Sequence, residues 1–171
     1  MDADFSHDPQ DIPRLLNKIQ DGYDQTEEAS KASDPRSTQK AISPKAKYDM
    51  VIGSRYLKNS KILNWGLKRT IFSKFANIYA RIILGIPISD YTNGYRCYTR
   101  EALKAIEFDK IESAGYIVLS EMSYQLHKKG FRIGEIPITF VNRRRGASNL
   151  TRHEIISAFT SVLRLKFKRN L

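Results

Sequence analysis

The chain alternates between stretches with a clear apolar period and one long stretch with none. Between Asp8 and Asp21, Ile12, Leu15, Leu16 and Ile19 recur at helical spacing, with Pro13 in a first turn that tolerates it. From Tyr23 to Lys47 the period vanishes. Ser, Thr, Lys, Glu, Ala and two prolines dominate there, and Ile42 is the only large aliphatic residue. Such a segment cannot bury a core, and residues 22–47 read as a flexible insertion. Tyr23-Asp24 before it and Tyr48-Asp49 after it echo each other, so its removal would run a helix straight into the next strand.

Beyond the insertion the pattern is regular. Asp49 to Tyr56 is a short apolar strand ending in a polar loop. Trp65 to Leu84 is a long helix with apolar positions at Ile71, Phe75, Ile78 and Ile82. Asp90 to Arg96 is rich in turn formers and leads into a strand at Cys97-Tyr98. A short helix over Arg100–Ile106 and a long one over Tyr116–Lys129 follow, the latter closed by Gly130. Arg132 to Val141 alternates as a strand, and Pro137 marks it as an edge or a bulge. A basic loop over Arg143–Asn149 precedes an amphipathic helix over His153–Lys168. Interleaved strands and helices predict an α/β fold.

Composition narrows the class. The 171 residues fit one domain with a core, and no run of 18 apolar residues suggests a membrane span. Cys97 is the only cysteine, which excludes an internal disulfide and suits a reducing compartment. The start, Met1 to Asp4, is acidic and unlike a signal peptide. The formal charge of +11 is uneven: residues 1–47 carry −2 and residues 48–171 carry +13. A basic body suits nucleic acid, an anionic membrane or a phosphate-rich substrate, and charge alone does not choose.

Five motifs carry candidate chemistry. Asp2-Ala3-Asp4 places two carboxylates on one side of a strand end, where they can hold a hard divalent cation that keeps positions open for phosphates. A bare D-x-D is more often a solvated acidic terminus, but here it continues as Asp2-Ala3-Asp4-Phe5-Ser6-His7-Asp8-Pro9. Gly53-Ser54-Arg55-Tyr56 is followed by Arg69 and Ser73, one helical turn apart on a shared face; arginine offers a fork of donors matched to phosphate oxygens. Asp90-Tyr91-Thr92-Asn93-Gly94-Tyr95-Arg96 is a turn-rich loop in which Gly94 is expected to take a backbone conformation that other residues resist. Gly115-Tyr116 precedes Glu121. Glu135-Ile136-Pro137-Ile138 leads to Arg143-Arg144-Arg145-Gly146-Ala147-Ser148-Asn149.

Together these motifs resemble family 2 glycosyltransferases of the polyprenyl-phosphate (dolichyl-phosphate) mannosyltransferase type. The resemblance covers residues 2–21 and 48–165, across the whole set D-A-D-x-S-H-x-P, G-S-R-Y, R-x-x-x-S, D-x-T-x-G-[FY]-R-x-Y, G-Y-x-x-x-x-E and E-[VI]-P-I-x-F. It implies the C-terminal portion of a GT-A fold, a mixed sheet flanked by helices, divided into a metal-motif segment (1–21), the insertion (22–47) and the remainder with its C-terminal amphipathic helix (48–171). It implies Mg²⁺ or Mn²⁺ on Asp2, Asp4 and Ser6, and a donor diphosphate, GDP-mannose, held by Asp2, Asp4 and Arg55. The acceptor phosphate of a polyprenyl or dolichyl lipid falls to Arg69, Ser73 and Arg143. Asp90 and Glu121 stand in the catalytic positions: Asp90 orients the sugar or an arginine, or caps Thr92 or Asn93, and Glu121 is a general base or holds an arginine. A phosphate acceptor is already ionised near neutral pH and can attack without a base. Two departures stand out, Asn142 where an acidic residue is common and Asn149 where Lys is usual.

The resemblance also implies a β-α-β-α-β half ahead of the D-A-D motif, so the chain is expected to be a fragment, a split-gene half or a mis-started frame that leaves the strand at Asp49–Arg55 with an exposed edge. The last helix, through Ile155, Ile156, Phe159, Val162, Leu163 and Phe167 with flanking Arg and Lys, is expected either to lie on the cytoplasmic face of a membrane, making the protein peripheral, or to pack in the core. A basic nucleic-acid-binding domain and a non-catalytic scaffold are the competing classes; no basic-aromatic recognition motif or zinc spacing supports nucleic acid as a partner.

Overall fold

The computed structural model describes residues 6–20, 47–113, 115–142 and 152–167. After a 3₁₀ turn at Pro9–Asp11, α1 spans Ile12–Gln20, β1 Met50–Ser54, β2 Lys61–Leu63 and α2 Leu67–Leu84. Then follow β3 (Arg96–Tyr98), α3 (Arg100–Ala105), a 3₁₀ turn at Phe108–Lys110 and α4 (Ile117–Lys128). β4 (Ile133–Pro137), β5 (Thr139–Val141) and α5 (Arg152–Phe167) complete the order. The chain is mixed α/β, with a mixed sheet flanked by helices.

β1 is the centre of the three-stranded sheet β3-β1-β4, antiparallel to β3 and parallel to β4. The edge expected at Asp49–Arg55 is therefore absent: both sides of the strand are paired. Every residue of β1 is buried, and alternation along the strand sends its side chains to two separate cores. Met50 and Ile52 pack with Leu84, Ile86, Tyr124 and Leu126 on the α2–α4–α5 side. Val51 packs with Leu15 and Ile19 of α1 on the other. Only that half of the α1 apolar set is buried; Ile12 and Leu16 remain exposed.

Pro137, expected at an edge or a bulge, ends β4, which is an outer strand of the three-stranded sheet. The alternating run does not stay in one sheet: β4 ends at Pro137, and β5 pairs in parallel with β2 in a second, two-stranded sheet. β2 was not evident as a strand, because Lys61–Leu63 is too short to show alternation. Gly130 follows α4 in the left-handed conformation (φ 79°), as a C-terminal glycine should. Gly94 does not: the described glycines with positive φ are Gly85, Gly115 and Gly130. α2 and α5 pack as a pair, Phe159 meeting Phe72, Phe75 and Tyr79, and the Tyr79 hydroxyl donating to the Phe159 carbonyl at 3.1 Å.

The last helix meets the core through part of its apolar set. Val162 and Leu165 are buried in the core, while Ile156, Leu163 and Phe167 are exposed. No helix among the described residues is long and apolar enough to cross a membrane.

Candidate functional site

The C-terminal end of β1 delivers Arg55 into a ring of separate chain segments. Its Nε and Nη2 donate to the two carboxylate oxygens of Asp90, each at 2.7 Å, and Nη2 also reaches the Thr92 hydroxyl at 2.8 Å. The Arg55 amide donates to the same carboxylate at 3.1 Å. Asp90 is wholly buried, and it further accepts the amides of Thr92 and Asn93 at 3.3 and 3.2 Å. Asp90 therefore performs two of the roles open to it, holding an arginine and capping its own turn. Burial works against the Arg55 charge, but the hydrogen bonds and charge of Asp90 outweigh it and hold the guanidinium above its ordinary pKa.

The loop bearing Asp90 is itself pinned from β4. Glu135 accepts the amides of Ser89 and Asp90, at 2.8 and 3.0 Å. Asn93 closes the other side. Its side-chain amide donates to the Gly53 carbonyl, and its Oδ1 accepts from His7 Nε2 at 2.7 Å. His7 packs against the rings of Tyr95 and Phe140, and the segment is stitched to β5 by the Val141 amide on the Ser6 carbonyl at 3.0 Å. Ser6 is buried. The segment that follows the D-A-D motif thus docks on the same loop that holds Arg55. Asp2 and Asp4 lie outside the described residues, as does Arg143.

α2 supplies the second half of the site. Arg69 stacks on Trp65, four residues earlier, with its guanidinium carbon 4.2 Å from the ring centroid, and its Nη1 donates to Asn142 Oδ1 at 3.1 Å. Arg55 lies 5.4 Å from the same indole ring and 5.4 Å from Phe140, so Trp65 is shared between two guanidinium groups. The indole Nε1 is buried without an acceptor among the described residues. One turn on, Ser73 shares a 2.5 Å hydrogen bond with the Tyr56 hydroxyl. Burial raises the Tyr56 pKa against the opposing pull of Arg55, so the phenol stays neutral.

Arg55, Asp90, Arg69 and Ser73 are therefore brought together, with Asn142 at the junction that leads to Arg143. Glu121 is not part of this cluster. It is fully buried on α4, where Oε2 accepts the Ser113 amide at 3.1 Å and Oε1 has no partner among the described residues. Among the described residues it holds no arginine. Arg96, the arginine nearest in sequence logic, is bound instead by the Tyr91, Asn93 and Leu119 carbonyls and Ser123 Oγ. A cavity of about 440 Å³ is lined by Gly94, Gly115, Tyr116, Val118 and Leu119. Tyr116 on its rim is close enough to interact electrostatically with Arg55.

Five residues of the site were given no binding role from the sequence: Trp65, and His7, Tyr56, Asn93 and Glu135, which stand inside the quoted motifs. Trp65 carried a usable signal, being the only tryptophan and one turn ahead of Arg69.

No family model matches the chain. It is 34% identical over 162 residues to the polyprenol monophosphomannose synthase of Mycolicibacterium smegmatis, covering 95% of this chain and 52% of that protein. It is 35% identical over 164 residues to the undecaprenyl-phosphate mannosyltransferase of Micrococcus luteus, covering 96% of this chain and 57% of that protein. Over nearly its whole length the chain is similar in sequence to these two polyprenyl-phosphate mannosyltransferases. It spans about half the length of the curated relatives it matches. The similarity runs through nearly the whole of this chain, so the Arg55–Asp90 pair and the α2 arginine lie inside the aligned region.

The donor chemistry implied for a metal is hard oxygen, and Mg²⁺ or Mn²⁺ suits Asp2, Asp4 and Ser6 on that count. Among the described residues no group of three or more His, Cys, Asp or Glu side chains forms a metal site.

Proposed function

We propose that the chain transfers mannose from GDP-mannose to the phosphate of a polyprenyl or dolichyl lipid, with inversion in one displacement, at the cytoplasmic face of a membrane. The observation that carries the reading is that Arg69 of α2 and Arg55 at the end of β1 share the Trp65 ring, while Ser73, on the same face of α2 as Arg69, bonds Tyr56 beside Arg55. Two fixed guanidinium groups in a partly buried setting are what a phosphorylated substrate pair requires. The relatives' names point to the same substrate class.

In this reading Arg69, Ser73 and Arg143 receive the acceptor phosphate, and Arg55 faces the donor diphosphate. The guanidinium of Arg55 is oriented by Asp90, so Asp90 acts through an arginine rather than on the sugar. Asp2, Asp4 and Ser6 are the residues that would hold Mg²⁺ or Mn²⁺, which when bound would neutralise charge on the departing diphosphate. Glu121, buried and engaged with the Ser113 amide, shapes the loop beside the cavity; an ionised phosphate nucleophile needs no base from it.

The test is transfer of labelled mannose from GDP-mannose to a short polyprenyl phosphate, with and without Mn²⁺. It is run on this chain and, as a second arm, on the M. smegmatis relative carrying the equivalent substitutions. Arg69→Ala is expected to lower use of the acceptor by about a hundredfold, as loss of a charged phosphate contact does, while donor affinity stays within about twofold. Full transfer by the Arg69→Ala forms in both arms would remove this reading.

A further inference from the structure

Ser73 does not use its hydroxyl as other helical hydroxyls in the chain do. Thr70 of α2 and Ser123 of α4 turn back onto the carbonyls four residues earlier, Gly66 and Leu119, at 3.3 and 2.8 Å. Ser73 Oγ instead meets the Tyr56 hydroxyl at 2.5 Å, and among the described residues it meets no other partner. Two hydroxyls in one hydrogen bond share a single hydrogen, so one of them keeps a hydrogen to give elsewhere. Which one keeps it decides what the site can bind.

Asn77, one turn beyond Ser73, decides the direction. It is buried, and its Oδ1 accepts the Tyr91 amide at 2.7 Å. A backbone amide can only donate, so the orientation of the Asn77 side chain is fixed. Nδ2 is then the donor, and it reaches the Ser73 carbonyl at 2.9 Å. Asn77 also acts on the Tyr56 phenol as a donor, working to lower a pKa that burial raises. The phenol oxygen thus accepts from Asn77, and its own hydrogen goes to Ser73 Oγ. Acidity favours the same direction, since a phenol is a better donor than an aliphatic hydroxyl. Ser73 keeps its hydrogen for a ligand.

We propose that Tyr56 is a positioning residue: its phenol donates to Ser73 Oγ, commits the Ser73 hydroxyl to donating, and so makes the site select the dianion of a phosphate monoester over its monoanion. This rests on the assignment of Arg69 and Ser73 to the acceptor phosphate, and adds what holds the serine and which protonation state it selects. A dianion offers acceptor oxygens alone. A monoanion carries one P–O–H, whose hydrogen needs an acceptor, and Arg55 and Arg69 can only donate. Ser73 could accept it only by turning its own hydrogen away, where the protein gives that hydrogen no partner. Without the phenol, Ser73 can turn back onto the Arg69 carbonyl, as Thr70 does onto Gly66, and present its oxygen to the P–O–H. The charged groups that act on Tyr56 are Arg55 and Asp90, which pair with each other, while Arg69 stands one turn before Ser73. His7, bonded to Asn93, is the same in every protein compared and cancels.

The experiment is calorimetric titration of the 171-residue chain with geranyl phosphate, a soluble prenyl phosphate. It is run at about pH 5 and about pH 8, on either side of a second phosphate pKa of about 6. Wild-type affinity is expected to rise about eightfold, because roughly a tenth of the probe is dianionic at the lower pH. Tyr56→Phe is expected to rise no more than about threefold. Ser73→Ala should flatten the response equally, and Tyr56→Phe should add nothing to it. A merely structural tyrosine lowers affinity alike at both pH values and adds to Ser73→Ala, and that result overturns the proposal. NMR of the unmodified chain reads the bond without any variant. A slowly exchanging hydroxyl proton coupled to Tyr56 Cζ is expected; one coupled to Ser73 Cβ in its place overturns the assignment. If wild type and Tyr56→Phe share one pH dependence while Arg69→Ala abolishes binding, the role of Tyr56 falls and the acceptor site stands. No binding by the wild type at either pH overturns both.

Discussion

Replacing Asp90 by Asn isolates the interaction on which the site is built. The substitution keeps size and one oxygen but removes the charge opposite Arg55, whose side chain is 8% exposed. Three charge-assisted bonds from Arg55 end on that carboxylate, at 2.7, 2.7 and 3.1 Å. A buried pair broken on one side costs about 3–5 kcal/mol, mostly because the surviving charge is stranded. Set against a typical domain stability of about 5–15 kcal/mol, that is a large fraction. In urea, with a slope of about 2 kcal/mol/M, the midpoint should fall by roughly 1.5–2.5 M. The diagnostic is the double variant. Arg55→Met removes the stranded charge, so Arg55→Met/Asp90→Asn should recover a good part of the loss, with a coupling of about 2 kcal/mol or more. If Asp90→Asn costs less than about 1 kcal/mol, or if the two changes add within about 0.5 kcal/mol, Asp90 is a turn cap that happens to lie beside an arginine and the reasoning fails.

Two further outcomes test other parts of the fold. Gly134→Ala places a Cβ 2.9 Å from the Tyr48 ring and should cost about 1–3 kcal/mol in urea unfolding, most of it returned when Tyr48 is also cut to Ala; an unshifted midpoint would mean that the ring moves freely. Glu107, hydrogen-bonded to Lys110 and Lys129, has its pKa lowered from 4.5 to about 2. Its lowered value means that its contribution is present above about pH 4.5 and fades as pH falls towards 2, so wild type and Glu107→Gln should differ at pH 6, converge near pH 2, and differ less in high salt.

The sequence was most legible where a signal is local. The buried run at Met50–Ser54, the helix over Leu67–Leu84 and the stop at Gly130 all follow from short-range period and turn chemistry. The α/β class and the mannosyltransferase resemblance were legible too, because motif strings keep their order. What the sequence did not show was direction. Periodicity identifies Ile71, Phe75, Ile78 and Ile82 as one face of a helix, but not whether that face meets protein or solvent; the packing of Phe72, Phe75 and Tyr79 against Phe159 covers only one edge of it. Long-range pairing was equally hidden. His7 and Asn93 are 86 positions apart, and nothing local announces that the loop after Asp90 will clamp the segment after the D-A-D motif. Asp90 was ambiguous between sugar, arginine and turn because a carboxylate in a turn-rich loop serves any of them; its burial against Arg55 is a property of the fold. Asn142 was noted only as a departure from a pattern, whereas it holds Arg69.

The central position of β1 has a consequence for how the protein is made. Val51 meets Cys97, 46 residues on, and Gly134, 83 residues on. At a synthesis rate of about 5–20 residues per second, the strand waits roughly 4–17 s after it emerges before its parallel partner exists. Throughout that interval an apolar strand with at least one open edge is presented to its surroundings. The antiparallel partner β3 arrives first and covers one side; the other stays open until the ribosome has delivered Ile133–Pro137. Silent codon changes that slow translation between β3 and β4 would lengthen the exposure without altering a single side chain, and they would lower the yield of folded protein while leaving the stability of what does fold untouched.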